Sequence, residues 1–210
     1  MGAFGALQDY IIKGGLGIMV PLLILFLIGL AFIIERGIAL TKAKINTAEF
    51  LTKIRAALRN KNVKEAVKIC ETFKGPIASI LKTGLMKYGD PKDEIEKTME
   101  NAAMHEIARL ERGLPVLSTI SNLAPILGFL GTVTGMIESF AALAQLNDPG
   151  AVANGISQAL ITTAGGLICS VPMLLAYSYF TTRVNAFIRE IESASAVLME
   201  SFSQMDRDNK

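Results

Sequence analysis

Two apolar stretches of this chain carry hydroxyl, amide and small residues at helical spacing. Within 113–144, Ser121, Pro125, Gly128, Gly131, Thr132 and Gly135 recur every three or four positions. Within 151–182, Gly155, Gln158, Thr162, Thr163, Gly166 and Ser170 do the same. Such a face serves close helix packing, or it lines a narrow polar path. Threonine hydroxyls hold water or hydrogen-bond a carboxylate, but they do not titrate near neutral pH, and neither does the amide of Gln158. Glu138 is the one acid in the first stretch and lies towards its outer end. It is either an interfacial residue or an acid at the mouth of an ion path. The residues therefore describe a wall with no proton carrier at its middle. Were this wall to conduct protons, another chain would have to bring the carboxylate.

Other chemistries lack their residues. There is no Ser-His-Asp constellation, phosphate loop or His/Cys cluster, and the glycines 128 and 131 follow no strand, so no nucleotide fingerprint applies. The sequence predicts a protein that is not an enzyme, with no cofactor and no metal. Cys70 and Cys169 have no partner at metal-ligand spacing and read as packing residues. His105, the single histidine, sits among acids and reads as a solvated surface residue. A net charge of +2 gives no reason to expect a nucleic-acid partner.

The elements that position these residues follow from charge segregation. The chain is 51% hydrophobic, and its charges leave three long uncharged runs: between Lys13 and Glu35, between Arg112 and Glu138, and between Asp148 and Arg183. Each exceeds the roughly 18 apolar residues that suggest a membrane helix. Backbone groups in lipid must be satisfied within their own segment, so the runs are helices. The first is too long for a cleaved leader and ends at Glu35-Arg36 without small-residue cleavage chemistry. The third is too long for one crossing, which predicts a single helix projecting beyond the bilayer. Of the 21 Lys and Arg residues, only Lys13 lies outside 36–112 and 183–210. The positive-inside rule then puts the amino terminus and the short second connection outside, with the middle block and carboxyl tail in the cytoplasm.

Apolar rhythm and breakers complete the map. The segment 1–15 is short and external, with Leu7, Tyr10 and Ile11 suggesting a surface helix. Spans occupy 16–36, 113–145 and 153–182, and 146–152 is the outer loop. The block 37–112 holds helices over 48–59, 63–73 and 77–88. Asp90 is a candidate cap with Pro91 at the first helical position, and a helix from Lys92 is expected to merge into the second span. The tail 183–210 continues the third span. The fold class is an all-α membrane protein with three transmembrane helices, two of them extended into a cytoplasmic helical bundle.

Two motifs are specific. One is P-x-x-G-x-x-G-T-V-x-G from Pro125 to Gly135, and the other is G-I-x-x-A-L-x-T-T-A from Gly155 to Ala164. With Glu35-Arg36 closing the first span and Val171-Pro172 following the second motif, the chain resembles the MotA/TolQ/ExbB proton-channel family over nearly its whole length. Three spans fit the ExbB/TolQ branch, whereas flagellar MotA-type stators have four. The resemblance implies a homopentamer in the bacterial inner membrane. It would surround an ExbD/TolR-type single-span subunit that supplies the titratable aspartate. Work would be delivered to a TonB- or TolA-type periplasm-spanning protein.

Carried over by motif, Thr132 and Thr163 face the pore, with Thr162 and Gln158 on the same pathway. The helix-packing positions are Pro125, Gly128, Gly131, Gly135 and Gly166, Glu138 is the candidate outer-mouth acid, and Glu35 and Arg36 are the interface anchor. Family members frequently have glutamate where this chain has Gln158, which shifts proton handling towards the partner. The rival readings are a non-conducting helical scaffold embedded in membrane lipids and a relative of the flagellar-type stators.

Overall fold

A computed structural model describes residues 10–43, 45–146 and 149–207. The helices are α1 (Leu16–Ala43), α2 (Thr47–Arg59), α3 (Val63–Thr72), α4 (Pro76–Met86), α5 (Lys92–Glu111), α6 (Leu114–Leu146) and α7 (Pro149–Arg207). No strand occurs among the described residues, and three of the helical stretches are long and apolar enough to cross a membrane. The all-α membrane fold expected from the sequence is therefore the observed one. The surface helix expected around Leu7 falls largely on residues outside those described, as do residues 147 and 148 between α6 and α7.

The chain divides into two compact units. Unit 1 comprises Met1–Glu35 with Gly113–Tyr179, and unit 2 comprises Arg36–Arg112 with Phe180–Lys210.

Unit 2 is built as a water-soluble bundle is built. In α2 the buried residues Phe50, Ile54, Ala57 and Leu58 recur on one face. They join Ala66 and Cys70 of α3, Ile77, Ile80, Leu81 and Leu85 of α4, and Ile191, Leu198 and Phe202 of α7 in one core. Each fully buried Leu, Ile or Phe contributes about 1.5–3 kcal/mol. The starts of α2 and α3 share one device. Asn46 and Asn62 accept from the backbone N–H of Glu49 and Glu65, at 3.3 and 3.1 Å. Pro76 opens α4, where its missing N–H costs nothing.

Two local expectations need correction. Asp90 caps nothing: α5 begins at Lys92 behind Pro91, and the Asp90 carboxylate pairs instead with Lys87 at 3.0 Å. Nor does α5 merge smoothly into α6. Arg112 is extended and Gly113 takes φ +86°, a left-handed conformation that costs glycine little, so the helix is interrupted there. The third span, by contrast, runs as one helix of 59 residues. It starts at Pro149, earlier than the expected 153.

Candidate functional site

The candidate site lies in unit 1, where α7 presents two different faces to two neighbours. One face meets α6. Thr163 Oγ1 donates to the Gly128 carbonyl at 3.1 Å, and Ser170 Oγ donates to the Ser121 carbonyl at 2.6 Å. Gly166 lies between them. A Cβ there would stand 2.6 Å from the Ala124 carbonyl oxygen and 3.1 Å from the Gly128 Cα, both of them backbone atoms. Further along the same antiparallel register, a Cβ on Gly135 would meet Ala159 Cβ at 3.1 Å, and Gly155 packs against the buried Ser139. Glycine at these positions lets two backbones approach more closely than any side chain permits.

The Ser170–Ser121 bond has a local cause. Pro125 has no N–H, so the carbonyl four residues earlier, that of Ser121, loses its helical donor. In an apolar surrounding such an orphan is costly. The Ser170 hydroxyl supplies the missing donor from the next helix. The sequence displays both residues, but only the register of α6 against α7 makes them partners.

The other face of α7 meets the start and middle of α1. Thr162 is 2% exposed, and its hydroxyl reaches the Gly14 carbonyl at 2.8 Å and the Gln158 carbonyl at 2.9 Å. Its methyl group fills the space left by Gly131 of α6. Gln158 is exposed, and its amide lies over Gly15, whose φ of +83° is a left-handed conformation that favours glycine. Met19 lies against Gly165, Met173 against Gly29, and Cys169 Sγ approaches the Leu22 carbonyl at 3.8 Å.

The four residues expected on one pathway are thus separated. Thr163 is half-buried on the α6 seam. Thr132 is half-buried one turn beyond Gly128, its hydroxyl donating to the Phe129 carbonyl at 2.6 Å. It borders a shallow apolar groove with Val133, Met136, Ile137 and Phe140. Thr162 instead lies inside the subunit, and Gln158 stands on the α1 side. The reason is rotation: consecutive helical positions differ by about 100°, so the hydroxyls of Thr162 and Thr163 reach different helices although the Thr162 methyl still touches α6.

Glu138 is exposed beside the buried Ser139 and points out of the seam. Glu35 is exposed and Arg36 is 5% exposed. The Arg36 guanidinium donates to the Arg109 carbonyl at 3.2 Å, in the last turn of α5, where carbonyls have no helical donor. Gly14, Gly15 and Ser139 were not singled out by sequence reasoning. Only Gly14-Gly15, a break just before the first span, left a visible signal.

Three apolar helices held by hydroxyl-to-carbonyl bonds and glycine contacts define a multi-pass α-helical membrane protein. Comparison with known proteins agrees. Residues 72–193, more than half the chain, match the profile of the MotA/TolQ/ExbB proton channel family. A putative biopolymer transport protein ExbB homolog of Methanothermobacter thermautotrophicus is 33% identical over 150 residues, covering 71% of this chain and 54% of that protein. ExbB-like protein 1 of Synechocystis is 35% identical over 178 residues, covering 81% of this chain and 69% of that protein. The TolQ protein of the Haemophilus influenzae Tol-Pal system is 41% identical over 101 residues, covering 46% and 44%. This chain therefore spans about half the length of the first of these relatives. It belongs to the MotA/TolQ/ExbB proton channel family, on its ExbB/TolQ branch.

Proposed function

We propose that this chain is the wall subunit of a proton-driven inner-membrane motor of the ExbB/TolQ kind. Five copies surround the single-span helices of an ExbD/TolR-type subunit, whose aspartate carries the proton. Flux through the pore is converted into movement of a TonB- or TolA-type protein that spans the periplasm. The amino terminus lies in the periplasm and the carboxyl tail in the cytoplasm. The supporting observation is the α6–α7 seam around Gly128. There Thr163 and, one turn away, Thr132 place hydroxyls at half-buried positions. Between Arg112 and Arg183 the only carboxylates are Glu138, which is exposed, and Asp148, between α6 and α7. Thr132 and Thr163 then serve as fixed hydrogen-bonding positions for an acid that another chain supplies. Thr162 and Gln158 hold α7 to the start of α1 and act on the pathway only through that packing.

In cells that carry the partner subunits, Thr132→Val and Thr163→Val abolish proton-coupled function while the protein still accumulates in the membrane. Thr→Ser at either position retains it. Intact function in both valine variants would refute the pore assignment. A non-conducting scaffold is the second reading, favoured by the use of the Thr162, Thr163 and Ser170 hydroxyls for internal bonds. Under that reading the same valine changes lower stability and assembly together and leave no separate defect in flux.

A further inference from the structure

Two sets among the cations of unit 2 differ in their surroundings. Lys53, Lys82 and Lys87 pair with carboxylates of the same unit at 2.7, 2.8 and 3.0 Å. A second set has collected elsewhere. Arg55, Arg59 and Lys61, at the end of α2 and the turn after it, line one cavity of about 760 Å³ with Arg207 of the last turn of α7. Among the described residues Glu200 is the one acid in that lining, and the buried Leu58 forms part of the floor. Among the described residues no carboxylate pairs with Arg55 or Arg59.

Favourable placement at a helix C-terminus accounts for one cation in the last turn, worth a few tenths of a kcal/mol to about 1. It covers Arg59 and Arg207, each in the last turn of its own helix, but gives no reason for Arg55 and Lys61 to join them at one concavity, where mutual repulsion opposes them. Arg55 and Arg59 are one turn apart on the same face of α2, about 5–6 Å between Cβ atoms. Two guanidinium forks at that spacing match the oxygens of a phosphate group or of two linked phosphates. The cavity volume lies within the range of small-ligand sites.

We propose that this cavity is a binding site for a soluble polyphosphate anion, gripped by Arg55 and Arg59 and neutralised further by Lys61 and Arg207. The site lies entirely within unit 2 and does not depend on the channel reading. A ligand bound there joins the end of α2 to the end of α7, two elements of one core.

Calorimetric titration of the full-length protein in detergent with inorganic pyrophosphate tests it. The expected result is saturable binding of one pyrophosphate per chain. The paired Arg55→Gln and Arg59→Gln variant weakens it by about tenfold or more, consistent with loss of charge-assisted bidentate bonds. Lys53→Gln, on the same helix but outside the cavity, leaves it unchanged. Circular dichroism shows whether each variant keeps its helices, and the single Arg55→Gln variant repeats the test should the double variant unfold. Absence of saturable binding at low ionic strength overturns the proposal, as does equal affinity in a folded double variant.

Discussion

In unit 2 the tightest places are filled by large side chains. Phe50, Ile80, Leu81 and Leu198 are all fully buried. In unit 1 the tightest places are empty of side chain. Gly128 and Gly166 meet backbone to backbone, while Phe129 and Leu175 stand outward at 66% exposure each. Solvent explains the inversion. Water drives apolar groups together, so a soluble bundle gains by hiding its largest residues. Lipid is as apolar as leucine and gives no such drive, so membrane helices associate through close contact and hydrogen bonds. The polar groups follow the same division. Unit 2 leaves its ion pairs on the surface, whereas unit 1 directs its hydroxyls inward to carbonyls.

The comparison breaks most visibly at Gly166. Leucine there would drive a side chain into the Ala124 carbonyl and the Gly128 backbone, which cannot move aside cheaply. Gly166→Leu is expected to prevent unit 1 from assembling, seen as loss of the folded protein from detergent extracts by size-exclusion chromatography. A normal yield with unchanged thermal stability would show that the seam is not tightly packed. In unit 2 the damaging change runs from large to small. Leu81→Ala should cost about 2–5 kcal/mol, measured as a lowered unfolding midpoint.

Smaller effects sharpen the account of hydroxyls. Ser170→Ala removes the donor that satisfies the Ser121 carbonyl orphaned by Pro125, at an expected cost of about 1–2 kcal/mol. Pro125→Ala restores a backbone N–H to that carbonyl, so Ser170→Ala should cost less in the Pro125→Ala background. A double-mutant cycle on thermal stability measures the coupling. Strict additivity would mean that the serine does not compensate for the proline.

The mildest test concerns Cys70. Burial pushes its thiol up from 9.0 to about 12. The folded state then holds a proton that the unfolded chain releases. Unit 2 should keep this contribution below about pH 9 and lose stability as pH rises from there towards 12. Alkylating reagents at pH 8 should leave Cys70 unmodified until the protein is denatured, as peptide mass spectrometry would reveal.

Much of this contrast was legible in the sequence. Charge segregation located the three spans, apolar rhythm and breakers separated the helices of the middle block, and the small-residue stripes offered 113–144 and 151–182 as faces for close packing or a polar path. What escaped were matters of rotation and register. Gln158, Thr162 and Thr163 look like one polar face when counted along the chain. In three dimensions α7 lies between two helices, and the hydroxyls of adjacent threonines go to different ones, Thr162 to the Gly14 carbonyl and Thr163 to that of Gly128. The break at Gly113 also escaped, because the apolar rhythm continues through it and Pro115 fits the first turn of a helix as well as a break, so the glycine signals nothing until its φ is known. The pairing of Ser170 with Pro125 needed the register of two helices remote in sequence.

The central claim is that this chain forms a channel wall that is inert without an acid from another subunit. Proton uptake into proteoliposomes under an imposed membrane potential tests it most directly, with purified chain alone and with an ExbD/TolR-type partner. The account predicts no uptake above empty vesicles for the chain alone and clear uptake with the partner. That uptake should disappear when the partner's span aspartate is changed to asparagine or when Thr132 and Thr163 are both valine. Proton uptake by the chain alone, or undiminished uptake through the double valine variant, would contradict it.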